Sequence, residues 1–275
     1  MSMARSAKME FLRSNSAFLL KEALTFIERK APEEATGYAY FDAAWRYRRM
    51  AICELLLEGR SDRFFALLCK SAQIQQHLQR LARERTGVEP IHLCASMSQM
   101  PVNALVSGFL DLAEAMAQCM PEHPLSGVEY EDDFLFYRFQ GVLLLRIRGA
   151  TELALPPLLD RWTEVVSGGE DPYLDVCRAL AAQDGVVFGQ AFDALVEHRL
   201  EQCARIRRTS GPDDEQYLAE AFVFMKGLAL LRLADLLGMK TRSEYPLIPR
   251  FIRFPPERLA FSSSSWRIPE QGIPR

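Results

Sequence analysis

Residues 171–206 read DPYLDVCRALAAQDGVVFGQAFDALVEHRLEQCARI, and their spacing decides the fold. Leu174, Cys177, Leu180 and Ala181 share one stripe; Val187, Phe188, Ala191, Phe192, Leu195, Val196 and Leu200 share another. Both stripes recur every three or four positions, as an amphipathic helix requires. Asp171 stands where an N-cap is expected and Pro172 where a first-turn proline is tolerated. Asp184 can end one helix and cap the next, with Gly185 predicted to relieve the backbone between them. So short a break forces two antiparallel neighbours. Neither buries enough surface alone, so the rest of the chain must supply further helices.

At 275 residues the chain is long enough for a substantial core, and its 49% hydrophobic and 25% charged residues are ordinary for a globular protein. Net charge is −3, unevenly placed. Beyond Met239, Lys240, Arg242, Arg250, Arg253, Arg258, Arg267 and Arg275 outnumber Glu244, Glu257 and Glu270, so the helical body is the more acidic part. No strongly basic face argues for nucleic acid. Cys53, Cys69, Cys94, Cys119, Cys177 and Cys203 form no CxxC pair and read as buried thiols. The first apolar stretch is broken by Arg13, Ser14, Asn15 and Lys21, which predicts a helix rather than a signal peptide. No apolar run approaches the roughly 20 residues needed to span a bilayer. The expectation is a cytoplasmic protein without membrane or nucleic-acid partners.

From the start of the chain, a helix is predicted over 7–30 with Phe11, Phe18, Leu19, Leu24 and Ile27 inward. A second covers about 38–58, its Arg46, Arg48 and Arg49 read as a solvated surface and its aromatic start, Tyr38 to Tyr47, as a reserve interaction face. A third runs from a Ser61 or Asp62 cap to about Arg85, and a fourth from Pro101 to about Met120. Glu131, Asp132 and Asp133 suit the positive end of a helix dipole at the start of the long apolar pattern reaching about Arg148. Another helix spans 153–166, and a last long one runs from 211–214 to Leu237, closed by Gly238. Prolines at 246, 249, 255, 256 and 269 forbid a further helix of any length. Residues 240–275 are therefore expected to lie extended on the body, held by Tyr245, Leu247, Ile248, Phe251, Phe254 and Trp266. The expected architecture is all-α: antiparallel helical pairs packed into one array over 1–239, with residues 240–275 docked on it.

The chain carries no phosphate-binding loop, dinucleotide fingerprint, HExxH or GxSxG. Glu89 and His92 spell one ExxH, where a di-iron site needs two, and Pro90 interrupts it. His92 with Cys94 lacks further ligands at metal-binding spacing. His198 beside Glu197 could form a base with an orienting acid, but the pair reads more simply as a helix's polar face. No cofactor, metal or catalytic residue is expected.

Residues 171–199, DPYLDVCRALAAQDGVVFGQAFDALVEHR, followed by LALLRLADLLGMKTRSEYPLIPRFI at 228–252, resemble the immunity protein 49 family of bacterial polymorphic toxin systems. The shared pattern is an alanine- and leucine-rich helix, an aspartate turn, a helix of the form FxxAFxxLVEHR, a leucine-rich helix, a glycine and a tyrosine-proline segment. These are packing motifs within the C-terminal third of the chain. The resemblance implies a cytoplasmic antitoxin that binds one toxin, delivered by contact-dependent or type VI secretion, and neutralises it by occlusion. Such an inhibitor would gain rate and specificity from acidic side chains facing a basic toxin. The candidate residues are Glu129, Glu131, Asp132 and Asp133 before one helix and Asp213, Asp214 and Glu215 before another. The same acids could simply stabilise helix dipoles. A tetratricopeptide-like scaffold would also use paired helices, but no period near 34 residues is present. An α-helical enzyme with a site built from distant residues is the remaining alternative.

Overall fold

The computed structural model describes residues 3–209, 215–256 and 261–274, with the side chains of 3–5 and 215–217 outside that description. The described chain is all-α, without a strand; an isolated antiparallel bridge joins Tyr245 and Ile248. The helices are α1 (Met3–Arg29), α2 (Pro32–Ala35), α3 (Tyr38–Glu58), α4 (Ser61–Glu84), α5 (Ala95–Ser98), α6 (Val102–Ser107) and α7 (Leu110–Ala117). They continue as α8 (Glu131–Ile147), α9 (Pro156–Val165), α10 (Pro172–Ala182), α11 (Gly185–Thr209), α12 (Glu215–Glu220) and α13 (Met225–Leu236). α3 pairs with α4 across a two-residue turn and takes α1 on its other side, while α10 pairs with α11. α6, α8 and α13 bridge the two groups.

The α10–α11 hairpin forms for the reasons its sequence carries, with one exchange of roles. Asp171 accepts hydrogen bonds from the amides of Tyr173 and Leu174, and Asp184 from those of Val186 and Val187. Each capping carboxylate meets two amides that the first helical turn leaves without partners. The left-handed residue between the helices is Gln183, at φ 54°, not Gly185, which lies inside α11. Phe188, Phe192, Leu195 and Val196 are buried, whereas Val187 and Leu200 at the edges of the stripe are exposed.

Two predicted long helices are broken. Gly108, at φ 82°, separates α6 from α7, turning the chain where a straight helix was expected. The last helix is interrupted between Glu220 and Met225, where the Phe224 amide donates to the Leu247 carbonyl and Ala221's carbonyl accepts the Cys203 thiol. The backbone groups freed by the break are satisfied by α11 and the tail, not by the helix itself.

α1 meets the core as predicted at Ile27, which is buried, and at Leu24, which packs against it. The rest of its inward face is Met9, Leu12, Leu20 and Ala23, while Phe11 and Phe18, expected inward, are 69% and 66% exposed. The buried set includes Ser16 and Ala23, small residues that let α1 lie close against α3, which two phenylalanines would hold away. The tail is docked through Tyr245, Ile248, Ile252 and Trp266, with Phe251 and Phe254 outward. Tyr245 meets the Phe192 ring edge-on at 4.8 Å, and buried Arg253 donates to both oxygens of Asp235 on α13 at 2.6 and 2.7 Å. The six cysteines are free thiols, Cys119 half-buried and the others buried. No helix among the described residues is long and apolar enough to cross a membrane.

Candidate functional site

Where α8, α10, α11 and α13 converge over α3, a polar cleft of about 450 Å³ opens to solvent. α8 contributes Asp132, Asp133 and Phe136 to one wall; the turn into α10 contributes Glu170, Asp171 and Tyr173 to another. α11 supplies His198, Arg199 and Gln202, α12 ends in Glu220, the break after it supplies Phe224, and α13 opens with Met225 and Lys226. Arg48, Gln99, Trp162 and Pro172 complete the lining. The helix ends meet here because α8, α10 and α13 all begin at this side of the array. The first turn of α8 and the residues just before α10 bring acids with them, as the dipole favours, whereas the first turn of α13 carries Lys226.

The floor is a buried ion pair. Arg48, 2% exposed, donates from Nε and Nη2 to the two oxygens of Glu220, each at 2.7 Å. Its Nη1 donates to Asn103 Oδ1 at 2.6 Å, and Asn103 Nδ2 donates to Ser71, whose hydroxyl reaches the Ala44 carbonyl. Burial pushes the Glu220 carboxyl up, but the charges of Arg48 and Arg199 outweigh it and hold the group below its ordinary value. The helix-surface reading of Arg48 is thus corrected. Its neighbours at helical spacing, Ala44, Ala51 and Ile52, are core residues, so a charge on an apolar stripe was the available signal.

Lys226 reaches over three rings, 5.1 Å from the centroids of Phe136 and Tyr137 and 5.2 Å from that of Tyr173. Its ammonium lies 3.4 Å from Asp133. Such a box stabilises a cation through the ring quadrupoles. Burial raises the hydroxyl pKa of both tyrosines, that of Tyr137 well above its usual value, so they stay neutral beside the lysine. Asp171 is fully engaged, accepting Trp162 Nε1 at 2.8 Å besides its two capping amides. Among the described residues, the Gln99 side-chain oxygen and Arg199 Nε on the lining are buried and find no hydrogen-bond partner. Gln99 also holds a left-handed backbone, φ 53°.

The predicted site residues scatter. Glu129 is used within the fold, accepting the amides of Ser96 at 2.7 Å and Leu125 at 3.2 Å. Glu131 accepts both ends of the Arg161 guanidinium, which holds its carboxyl below the ordinary range. Asp132 and Asp133 line the cleft. Asp213 and Asp214 fall outside the described residues, and Glu215 begins α12 with its side chain also outside them. His198 faces the cleft, but its Nε2 meets the Gln202 amide at 2.8 Å, not a carboxylate. His92 pairs with Glu89 at 3.4 Å beneath Phe41 and Tyr38. Among the described residues no group of three or more His, Cys, Asp or Glu side chains converges as metal ligands would. Comparison of the chain with protein-family models, with curated proteins and with solved structures finds no match.

Proposed function

We propose that the protein is an immunity protein: it binds a bacterial toxin and neutralises it by occlusion, with no chemistry of its own. The observation that carries this reading is the acid lip of the cleft, formed by Asp132, Asp133 and Glu170. Near it stand Tyr130, 80% exposed, and the exposed Val128 on the loop before α8, with exposed Met97 on α5, which the bond from the Ser96 amide to Glu129 ties to that loop. Aromatic and methionine side chains around a charged centre are the composition of a protein interface. A toxin that acts on nucleic acid needs a basic surface, and an acidic face accelerates encounter with it. The resemblance of residues 171–199 and 228–252 to the immunity protein 49 family points the same way.

The test begins with co-expression and purification alongside the product of the neighbouring gene, and a growth assay under toxin induction. Asp132→Lys with Glu170→Lys leaves the Asp133–Lys226 pair in place. The double variant is expected to keep its helical circular dichroism, associate at least tenfold more slowly at low salt, and lose most of the salt dependence. Wild-type association and full protection by that variant would sink the acid-lip assignment. A second reading, a small polar ligand in the cleft, is favoured by the unpaired Gln99 oxygen and Arg199 Nε. Mass spectrometry of what the native protein releases on denaturation distinguishes the two.

A further inference from the structure

A second surface has the chemistry of a binding site. Residues 261–274 lie along α3 and α4, and the polar bonds between them follow one pattern. The Tyr47 hydroxyl donates to the Trp266 carbonyl at 2.6 Å. Lys70 donates to the carbonyls of Ser265 and Ile268 at 2.8 and 2.6 Å, and Gln73 to that of Ser262 at 2.9 Å. Arg63 and Arg60 donate to the Pro274 carbonyl at 3.0 and 3.3 Å. The donors are side chains of the helical hairpin; the acceptors are main-chain groups that any peptide offers. In the reverse direction the Ser265 hydroxyl donates to Gln73 Oε1 at 2.8 Å. Specificity comes from one deep side chain, Trp266, 2% exposed, whose ring meets His77 at 5.3 Å and Tyr40 edge-on at 6.1 Å.

Main-chain bonds for affinity and one side-chain pocket for selectivity are the hallmarks of peptide recognition. The two helices that wall the groove also pack along their length on each other, independently of this segment. The fully buried Lys70 between them donates from its ammonium to two main-chain carbonyls of this segment. A buried ammonium must find acceptors, and the segment supplies them.

We propose that the α3–α4 groove is a peptide-binding site that residues 261–274 fill in cis, and that a second copy of this chain fills it in trans by donating the same segment. The two arrangements make identical contacts, so concentration and the connection between segment and body decide which prevails.

Two full-length variants test the exchange. Trp266→Ala weakens the segment and leaves the groove intact; Lys70→Met weakens the groove and leaves the segment intact. Each alone is expected to be a folded monomer by circular dichroism and sedimentation, with amide exchange over 261–274 accelerated at least tenfold. Mixed in equal amounts, they are expected to form a heterodimer in which the groove of Trp266→Ala takes the segment of Lys70→Met. A fluorescein-labelled peptide of sequence 261–274 should bind Trp266→Ala at least tenfold more tightly than wild type. If the mixture stays monomeric and the peptide binds neither protein, the groove is not a site of exchange. If Trp266→Ala fails to fold, the segment is an integral part of the core, and the proposal falls equally.

Discussion

Glu220 shows how much a single side chain can carry. It neutralises a guanidinium sunk in the core, and that guanidinium in turn holds Asn103 and Ser71 in line. Removing one partner of a buried pair leaves the other uncompensated, at about 3–5 kcal/mol, whereas replacing both with apolar groups of similar volume is often neutral. Glu220→Ala is therefore expected to destabilise by about 3–5 kcal/mol. Arg48→Met combined with Glu220→Leu should recover most of that loss in denaturant melts. A single-variant loss below about 1 kcal/mol would mean the pair contributes nothing beyond a surface bridge. The carboxyl is held below its ordinary value, so its contribution is present above that value and disappears as pH falls through the lower, folded one. Acid melts of wild type and Glu220→Gln should converge in that window. At this scale the sequence showed an arginine on an apolar stripe, but not which carboxylate would answer it, because Glu220 is 172 positions away.

The hairpin of α10 and α11 is the element most legible in the sequence, since its caps and stripes are local. What the local reading misplaced is the left-handed position, given to Gly185 but held by Gln183. An ordinary residue in that conformation costs about 1–2 kcal/mol, and glycine returns about 0.4–1 kcal/mol of this through the freer unfolded chain. Gln183→Gly should thus raise stability by about 0.5–1 kcal/mol. A lower melting temperature would show that the glutamine side chain does more than sit there. α1 was misread at Phe11 and Phe18 for a different reason: large apolar residues were taken as inward, but the stripe at helical spacing is Met9, Leu12, Ser16, Leu20, Ala23 and Ile27. Phe192→Ala is expected to cost about 3–5 kcal/mol and Phe18→Ala less than about 0.5 kcal/mol. Equal losses would contradict the face assignment of α1.

Across the whole molecule, burial of thiols sets the response to base. Cys53 and Cys69 are both pushed up to about 12 by burial, and Cys94 to about 11. Cys177 and Cys203 are raised for the same reason. A raised folded pKa contributes stability that is complete below the unfolded value, about 8.5 for a thiol, and is lost as pH climbs towards the folded one. Lys70 acts in the opposite sense. Burial lowers it to about 8, so its contribution improves between there and its unfolded value of about 10.4. Five thiols outweigh one ammonium. Melting temperature under reducing conditions should fall steadily above pH ~9, and Lys70→Met should make that fall steeper. A flat profile up to pH ~11 would show that the thiols titrate as if in water. The fold class was legible because helical periodicity is written within each segment. The cleft was not, because α3, α8, α10, α11 and α13 meet there only after the array has packed. Asp132 and Asp133, singled out in the sequence as helix N-terminal acids, lie on the cleft wall because the N-terminus of α8 opens onto it.

The groove on α3 and α4 has a consequence for how the protein is made. Tyr47 and the Trp266 carbonyl it binds are 219 residues apart. At about 5–20 residues per second of synthesis, about 10–45 s separate their appearance. Throughout that interval the nascent hairpin carries Lys70 and the tryptophan pocket open, so the N-terminal helices leave the ribosome as a surface still waiting for its cover. On a polysome, where neighbouring nascent chains sit close together, the first segment to arrive need not be the chain's own.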